Sequence, residues 1–257
     1  MRTAAPNPEP YVKTVELDRD SVSSFDEYPF CIPGIRNLDK LDLHPKVTFF
    51  VGENGTGKST LLEAIAVSVG FNPEGGGKNW GFATRESHSE LHRHLRLRKG
   101  IRRFRDGYFF RAESFFNVAT AIEEIDADPE SGPGPPVISS YGGKSLHEQS
   151  HGESFLSLLT NRFVGNGLYL LDEPEAALSP QRQMSVLTVM HDLIKQNSQF
   201  IIATHSPILM AYPDATIYMF TADATTRVDY TETEHYTVTR DFLNRYQSML
   251  QILLEDQ

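Results

Sequence analysis

The chain has 257 residues and a mass of 28.9 kDa, enough to bury a full core, and it reads as one domain over 1–257, with a flexible N-terminus at about 1–12 and a mobile loop at about 126–136. A net charge of -10 and a pI near 5.4 exclude chain-wide attraction to a phosphate backbone. The single cysteine, Cys31, excludes an internal disulfide and a thiolate metal site, fits a reducing compartment, and reads as a buried small hydrophobe.

The first twenty residues, MRTAAPNPEPYVKTVELDRD, carry three prolines and mixed charge where an export signal needs an apolar centre. No apolar run reaches the ~20 residues that span a bilayer. The greasiest, FIIATHSPILM, is interrupted by Thr204, His205 and Pro207. A soluble, cytoplasmic protein without membrane insertion is expected.

VTFFV, 47–51, is a short β-rich run ending at Gly52, and STLLEAIAVSV follows with helical spacing until Gly70, which suits the position just past a helix end. Strand, loop, helix is the reading. FNPEGGGKNWG after it is predicted to be a surface loop. HRHLRLRKGIRRFR, 92–105, carries Arg93, Arg96, Arg98, Lys99, Arg102, Arg103 and Arg105 without an acid. It is either a solvated face paired with acidic neighbours or a patch for a polyanion such as DNA.

YFFR, 108–111, reads as a strand, and ESFFNVATAIEEI as a helix with Phe116, Ala119, Ile122 and Ile125 at its apolar spacing. DADPESGPGPP is the one low-complexity piece. GESFLSLLTNRF then reads as a helix, and LYLLDEP as a buried strand that stops at Pro174. SPQRQMSVLTVMHDLIKQN is a helix with Ser179 as N-cap and Pro180 in the favoured first position. QFIIATHSP is a further buried strand. Strands alternating with helices predict an α/β fold with a parallel sheet wound by right-handed crossovers. No internal repeat or sustained heptad is present, so a long coiled-coil arm is not expected.

GENGTGKST, 52–60, fits G-x-x-x-x-G-K-[ST] and lies between a predicted strand and a predicted helix, where backbone N–H groups and a helix N-terminus make an anion site. Gly52, Asn54, Gly55, Thr56, Gly57, Lys58, Ser59 and Thr60 are the candidate phosphate cradle. Lys58 suits the β- and γ-phosphates of ATP, the Ser59 hydroxyl a Mg2+ position, and Thr60 a further phosphate contact. GLYLLDEP delivers Asp172 and Glu173 to a strand's C-terminal edge, where ligands of open α/β sheets bind. Asp172 suits Mg2+ through water, and Glu173 the proton of an attacking water. THSP ends the next strand with His205 at the same edge.

In this order the motifs resemble the ABC-type ATPases, P-loop NTPases, over about residues 30–220. Gly52–Thr60 resembles their Walker A loop, Leu168–Glu173 the Walker B strand, Ala177–Ser179 the D-loop and His205 the switch histidine. SHGES is similar to the signature LSGGQ, with Ser150 and Gly152 matching and with His151 and Glu153 replacing a glycine and the glutamine. The resemblance implies an ABC-ATPase-like sheet with a small helical subdomain before the signature. It also implies ATP and Mg2+ as ligands, Lys58, Glu173 and His205 as catalytic residues, and an ATP-dependent homodimer in which Ser150 and Gly152 complete the partner's site. Glu153 would then turn to a cation or back to a helix-end amide.

No convincing Q-loop glutamine is present, Glu113 standing nearest its place, and either Tyr28 or Phe30 is available to stack on adenine. These departures resemble soluble ATPases of the SMC and DNA-repair branch more than transporter subunits. Two other readings stay open: a transporter motor subunit docked on a membrane partner, and a nucleotide-controlled switch acting on a nuclease or DNA-associated partner.

Overall fold

The apolar runs predicted as strands form the centre of a seven-stranded sheet in the computed structural model, which describes residues 9–78, 89–128 and 134–255. In chain order the elements open with β1 (Val12–Leu17), α1 (Pro33–Arg36), β2 (Lys40–Asp42), β3 (Val47–Gly52) and α2 (Lys58–Val69). β4 (Gly76–Gly77), β5 (Leu95–Lys99), β6 (Asp106–Arg111) and α3 (Phe115–Ala127) follow, then α4 (His151–Ser157) and β7 (Gly167–Asp172). The chain closes with α5 (Pro180–Lys195), β8 (Gln199–Ala203), α6 (Pro207–Met210), β9 (Thr216–Phe220), β10 (Thr225–Val228) and α7 (Glu234–Leu254). A π-type turn, Leu158–Arg162, continues α4.

The large sheet runs β10-β9-β3-β8-β7-β6-β4, and the five strands from β9 to β6 are parallel, as the alternation of strands and helices predicts. β10 and β4 are antiparallel edges. Because successive strand residues face opposite sides, Phe49 and Val51 join one core with α3, α4 and α5, while Phe50 joins another with α2 and the small sheet. That small antiparallel sheet, β2-β1-β5, is tied to β8 by Gln199: its Oε1 accepts from Tyr11 N and Val12 N at 2.9 and 3.0 Å, and its Nε2 donates to Val12 O at 2.9 Å. Residues 11 and 12 of the expected flexible terminus are therefore buried, while 1–8 lie outside the described residues.

Four expectations change. Gly76–Gly77, expected in a surface loop, pairs with β6 because the free edge of that strand offers N–H and C=O groups that need partners; the loop's remainder from residue 79 lies outside the described residues. The buried stripe of α3 is Phe115, Val118, Ala119 and Ile122, one step from the predicted face, so Phe116 and Ile125 are exposed. Cys31 is exposed, since its N–H donates to Glu27 O in a turn that puts Phe30 inside instead. The loop expected at 126–136 begins two residues later, α3 running to Ala127, and 129–133 lie outside the described residues.

The arginine-rich stretch folds into a short 3-10 turn and β5, with Arg93, Arg96, Arg98, Arg102, Arg103 and Arg105 exposed. Arg96 pairs with Asp18 at 2.8 Å, an acidic neighbour of the kind the sequence allows. No helix among the described residues is long and apolar enough to cross a membrane.

Candidate functional site

β3 ends in a backbone that only glycine tolerates. At Gly52, φ is +138° and a Cβ would lie 2.2 Å from the Phe220 carbonyl oxygen on β9; at Gly57, φ is +101° and a Cβ would press on Ile32. The chain can therefore fold back to start α2 directly at Lys58. Lys58 is only 4% exposed, and its ammonium donates to the carbonyls of Gly52 and Glu53 at 2.9 and 2.8 Å. Burial lowers its pKa, against the pull of Glu173, Asp172 and Glu175. A charged donor is thus held against its own loop by carboxylates behind it.

Ser59, one residue on, donates its hydroxyl to Asp172 Oδ1 at 2.8 Å. Asp172 ends β7 buried, and burial pushes its carboxyl up to about 6 despite the Ser59 bond and Arg111, whose Nε lies 3.8 Å from Oδ2. A hydroxyl and a buried carboxylate side by side form an all-oxygen donor pair, and a carboxylate that pays for burial is relieved by a hard cation. Mg2+ fits this pair, being held elsewhere by one or two protein oxygens plus phosphate.

Glu173 follows in the left-handed region, φ 49° and ψ 50°, a conformation that costs a non-glycine residue on the order of 1 kcal/mol or more. Its own N–H donates to Ala203 O at 2.9 Å, so the β7–β8 ladder fixes the backbone while the side chain leaves the sheet edge 42% exposed. His205, after β8, points its Nε2 at Glu173 Oε1, 3.8 Å away, and places its Nδ1 2.9 Å from His235 Nε2. Its N–H donates to Glu175 Oε1 at 2.6 Å. Desolvation, Lys58 and His235 push the His205 pKa down to about 4, and the nearby Glu173 does not outweigh them.

The structure therefore brings Lys58, Ser59, Asp172, Glu173 and His205 to one edge. A polar cavity of about 370 Å³ beside Ser59 and Thr60 is lined also by Tyr28, Arg111 and Glu113. Tyr28 is 64% exposed there, whereas Phe30 is buried against Phe25 and His94, so of the two aromatic candidates only Tyr28 has a free face. Glu113 lines the same cavity and pairs with Arg111 at 3.7 Å.

No hydrogen bond among the described residues joins Ser150 or Gly152 to Lys58, Ser59 or His205; the two line a cavity with Ala112, Pro174 and Arg182. Ser150 caps α4, and Glu153 closes a capping box by accepting from Ser150 N at 3.0 Å and Ser150 Oγ at 2.7 Å. The same carboxylate meets Arg182 at 3.3 Å. Glu153 thus finds both the amide and the cation expected for it.

Sequence reasoning missed Arg111, Glu175 and His235. Arg111 ends β6 opposite Asp172 in the parallel register and also reaches Glu63 at 2.7 Å; an arginine closing an apolar strand was its only signal. Glu175 lies two residues past Glu173. Nothing local marks His235, because its importance comes from the return of α7 to the sheet edge.

Residues 28–121 match the family described as "AAA domain", and residues 145–211 that described as "AAA domain, putative AbiEii toxin, Type IV TA system". The chain is similar to an uncharacterized ABC transporter ATP-binding protein of Haemophilus influenzae, 26% identical over 189 residues, 65% of this chain and 66% of that protein. It is similar also to the DNA replication and repair protein RecF of Colwellia psychrerythraea, 62% identical over 32 residues, 12% of this chain and 8% of that one. The chain thus spans less than two thirds of the length of either relative. In fold it is similar to a metal-chelate type ABC transporter solved in an inward-facing conformation, with a TM-score of 0.52 and 16% identity over 89% of this chain and 88% of the other. With the glycine-shaped cradle on β3 and the acidic end of β7, these matches lead to one conclusion: the chain carries AAA-type domain sequence on a P-loop NTPase fold.

Proposed function

We propose that the chain binds ATP with Mg2+ at the β3–α2 cradle and hydrolyses its β–γ phosphoanhydride, two copies closing on the nucleotide. The observation that carries this reading is the meeting of Lys58, Ser59, Asp172, Glu173 and His205 at the C-terminal ends of three adjacent parallel strands, where open α/β sheets bind ligands. Gly52, Asn54, Gly55, Thr56 and Gly57 wrap the phosphates with main-chain N–H groups, Thr60 adds a hydroxyl, and Tyr28 takes the base. The chain would work in the cytoplasm, where ATP is abundant.

Lys58 exchanges its two carbonyl partners for phosphate oxygens and spreads charge away from the γ-phosphoryl group. Ser59 and Asp172 would hold Mg2+, which supplies neutralisation of charge on the β- and γ-oxygens. Glu173 accepts a proton from water as its oxygen bonds to the γ-phosphorus and the bond to the bridging oxygen breaks, leaving ADP and phosphate. His205 stays neutral at pH 7 and stands opposite Glu173. Ser150 and Gly152, at the start of α4, present a helix N-terminus that suits the γ-phosphate of a second copy.

Glu173→Gln should bind ATP with affinity near wild type and turn it over about 100-fold or more slowly, since the amide cannot accept the proton. Lys58→Ala should instead lose nucleotide binding. Phosphate release and fluorescent-nucleotide titration check the pair; wild-type turnover in Glu173→Gln would overturn the reading.

A further inference from the structure

His235 opens α7 with its imidazole against His205, ring centroids 5.1 Å apart and Nε2 2.9 Å from His205 Nδ1. One nitrogen of this contact must carry the hydrogen and the other must not. The outer nitrogens, His205 Nε2 and His235 Nδ1, are buried without hydrogen-bond partners. His205 Nε2 faces the Glu173 carboxylate at 3.8 Å. These facts separate the two tautomeric arrangements.

If His205 Nδ1 carried the hydrogen, its Nε2 lone pair would point at a carboxylate, and His235 would be left with a buried N–H and no acceptor. If His235 Nε2 donates, His205 Nδ1 accepts and the His205 hydrogen sits on Nε2, aimed at the acidic side of the site. The second arrangement avoids lone-pair repulsion, aims the His205 N–H at a carboxylate 3.8 Å away, and leaves at His235 an acceptor instead of a donor facing nothing, the less costly orphan. We propose that His235 is a positioning residue that holds His205 in the Nε2–H tautomer, making His205 a hydrogen-bond donor toward Glu173 and the phosphate cradle.

The charged and titratable groups around the pair agree. Lys58 faces both rings, Glu173 faces His205 Nε2, Glu175 accepts from the His205 backbone, and Glu234 precedes His235. Burial and Lys58 lower both histidines, so neither is a cation at neutral pH and one shared hydrogen remains. Glu53, Asn54 and Val238 line the adjoining cavity of about 550 Å³, which places the first turns of α7 beside the cradle loop. The hydrogen bond made by one ring nitrogen sets which nitrogen carries the hydrogen, and at metal-ligating histidines the loss of such a partner typically costs 10- to 100-fold.

The consequence for turnover rests on the ATPase reading, whereas the tautomer itself does not. Nitrogen-15 spectra of the histidine-labelled full chain at pH 7 should show His205 protonated at Nε2 and bare at Nδ1; the opposite tautomer overturns the proposal whatever the enzyme does. Kinetically, His235→Ala should lower kcat about tenfold or more with KM for ATP within about twofold of wild type. His235→Gln, whose amide donates from a similar place, should recover most of the loss. His235→Glu, which only accepts when ionised, should not. Equal activity of the Gln and Glu variants, with matching melting curves, refutes the donor role. A wild-type chain that neither binds nor hydrolyses ATP would sink the ATPase reading alone, with the spectra still deciding for or against His235.

Discussion

Asp172 and His205 stand at the ends of neighbouring strands with opposite responses to acid. The Asp172 carboxyl is raised from an ordinary 3.8 to about 6, so the folded chain holds that proton more tightly than the unfolded one, and its stabilising effect is lost as pH rises through 6. His205 is lowered from 6.5 to about 4, so its effect is present above 6.5 and is lost as pH falls toward 4. Between pH 4 and 6 the two slopes oppose each other. Relative to wild type, Asp172→Asn should gain stability as pH rises through this window, and His205→Gln should gain as it falls. Urea midpoints at pH 4.5, 5.5 and 7 test both, and parallel pH profiles for all three proteins would contradict the assignment. At this scale the sequence revealed residues whose motif is local, such as Lys58, Ser59 and Asp172. It concealed Arg111, Glu175 and His235, because each acts through a neighbour supplied by another strand or helix.

Among the elements, α7 is the least anchored. None of its residues is buried, and Val238, Leu243, Tyr246, Ile252, Leu253 and Leu254 are exposed along its length. Its first turn carries the attachment: Thr233 is wholly buried, accepts from Tyr236 N, and donates to Tyr230 O at 2.8 Å, while Tyr236 packs on Tyr230. Thr233→Ala should cost about 1 kcal/mol as a lost N-cap. Amide exchange should quicken over 234–254 well before it does in β3 or β8, and uniform acceleration across the chain would argue that α7 is no separate unit. β3, β6, β7 and β8 were legible beforehand because buried apolar runs admit few other fates, whereas β9, Thr216–Phe220, was not read from the sequence. α3 was legible in period and wrong in phase by one residue, since Phe115 and Phe116 are equally apolar and only the packing of Phe110 against Phe115 decides between them. The β4 pairing needed knowledge of an open sheet edge that no window of sequence contains.

For the whole molecule, the proposed dimer is tested by pairing a defect in the cradle with a defect at the start of α4. Lys58→Ala and Ser150→Arg homodimers should each be inactive, yet a verified heterodimer keeps one intact composite site and should recover up to about half the wild-type activity per dimer if the two sites act independently. Recovery of neither turnover nor nucleotide-dependent association would remove the role assigned to Ser150. The capping box adds a condition, because Ser150 Oγ already serves Glu153 and Arg182 within its own chain and must loosen those bonds to reach outward.

The seven-stranded sheet ends in two very short antiparallel strands, Gly76–Gly77 on one side and Thr225–Val228 on the other. Five hydrophobic parallel strands with bare edges would be a template for endless strand addition from other chains. A two-residue edge offers too few ladder positions to recruit one, and the opposite edge turns Thr226 and Arg227 to water. The fold thereby keeps strand addition away from the margins of its large sheet, a task that falls to a two-residue and a four-residue strand.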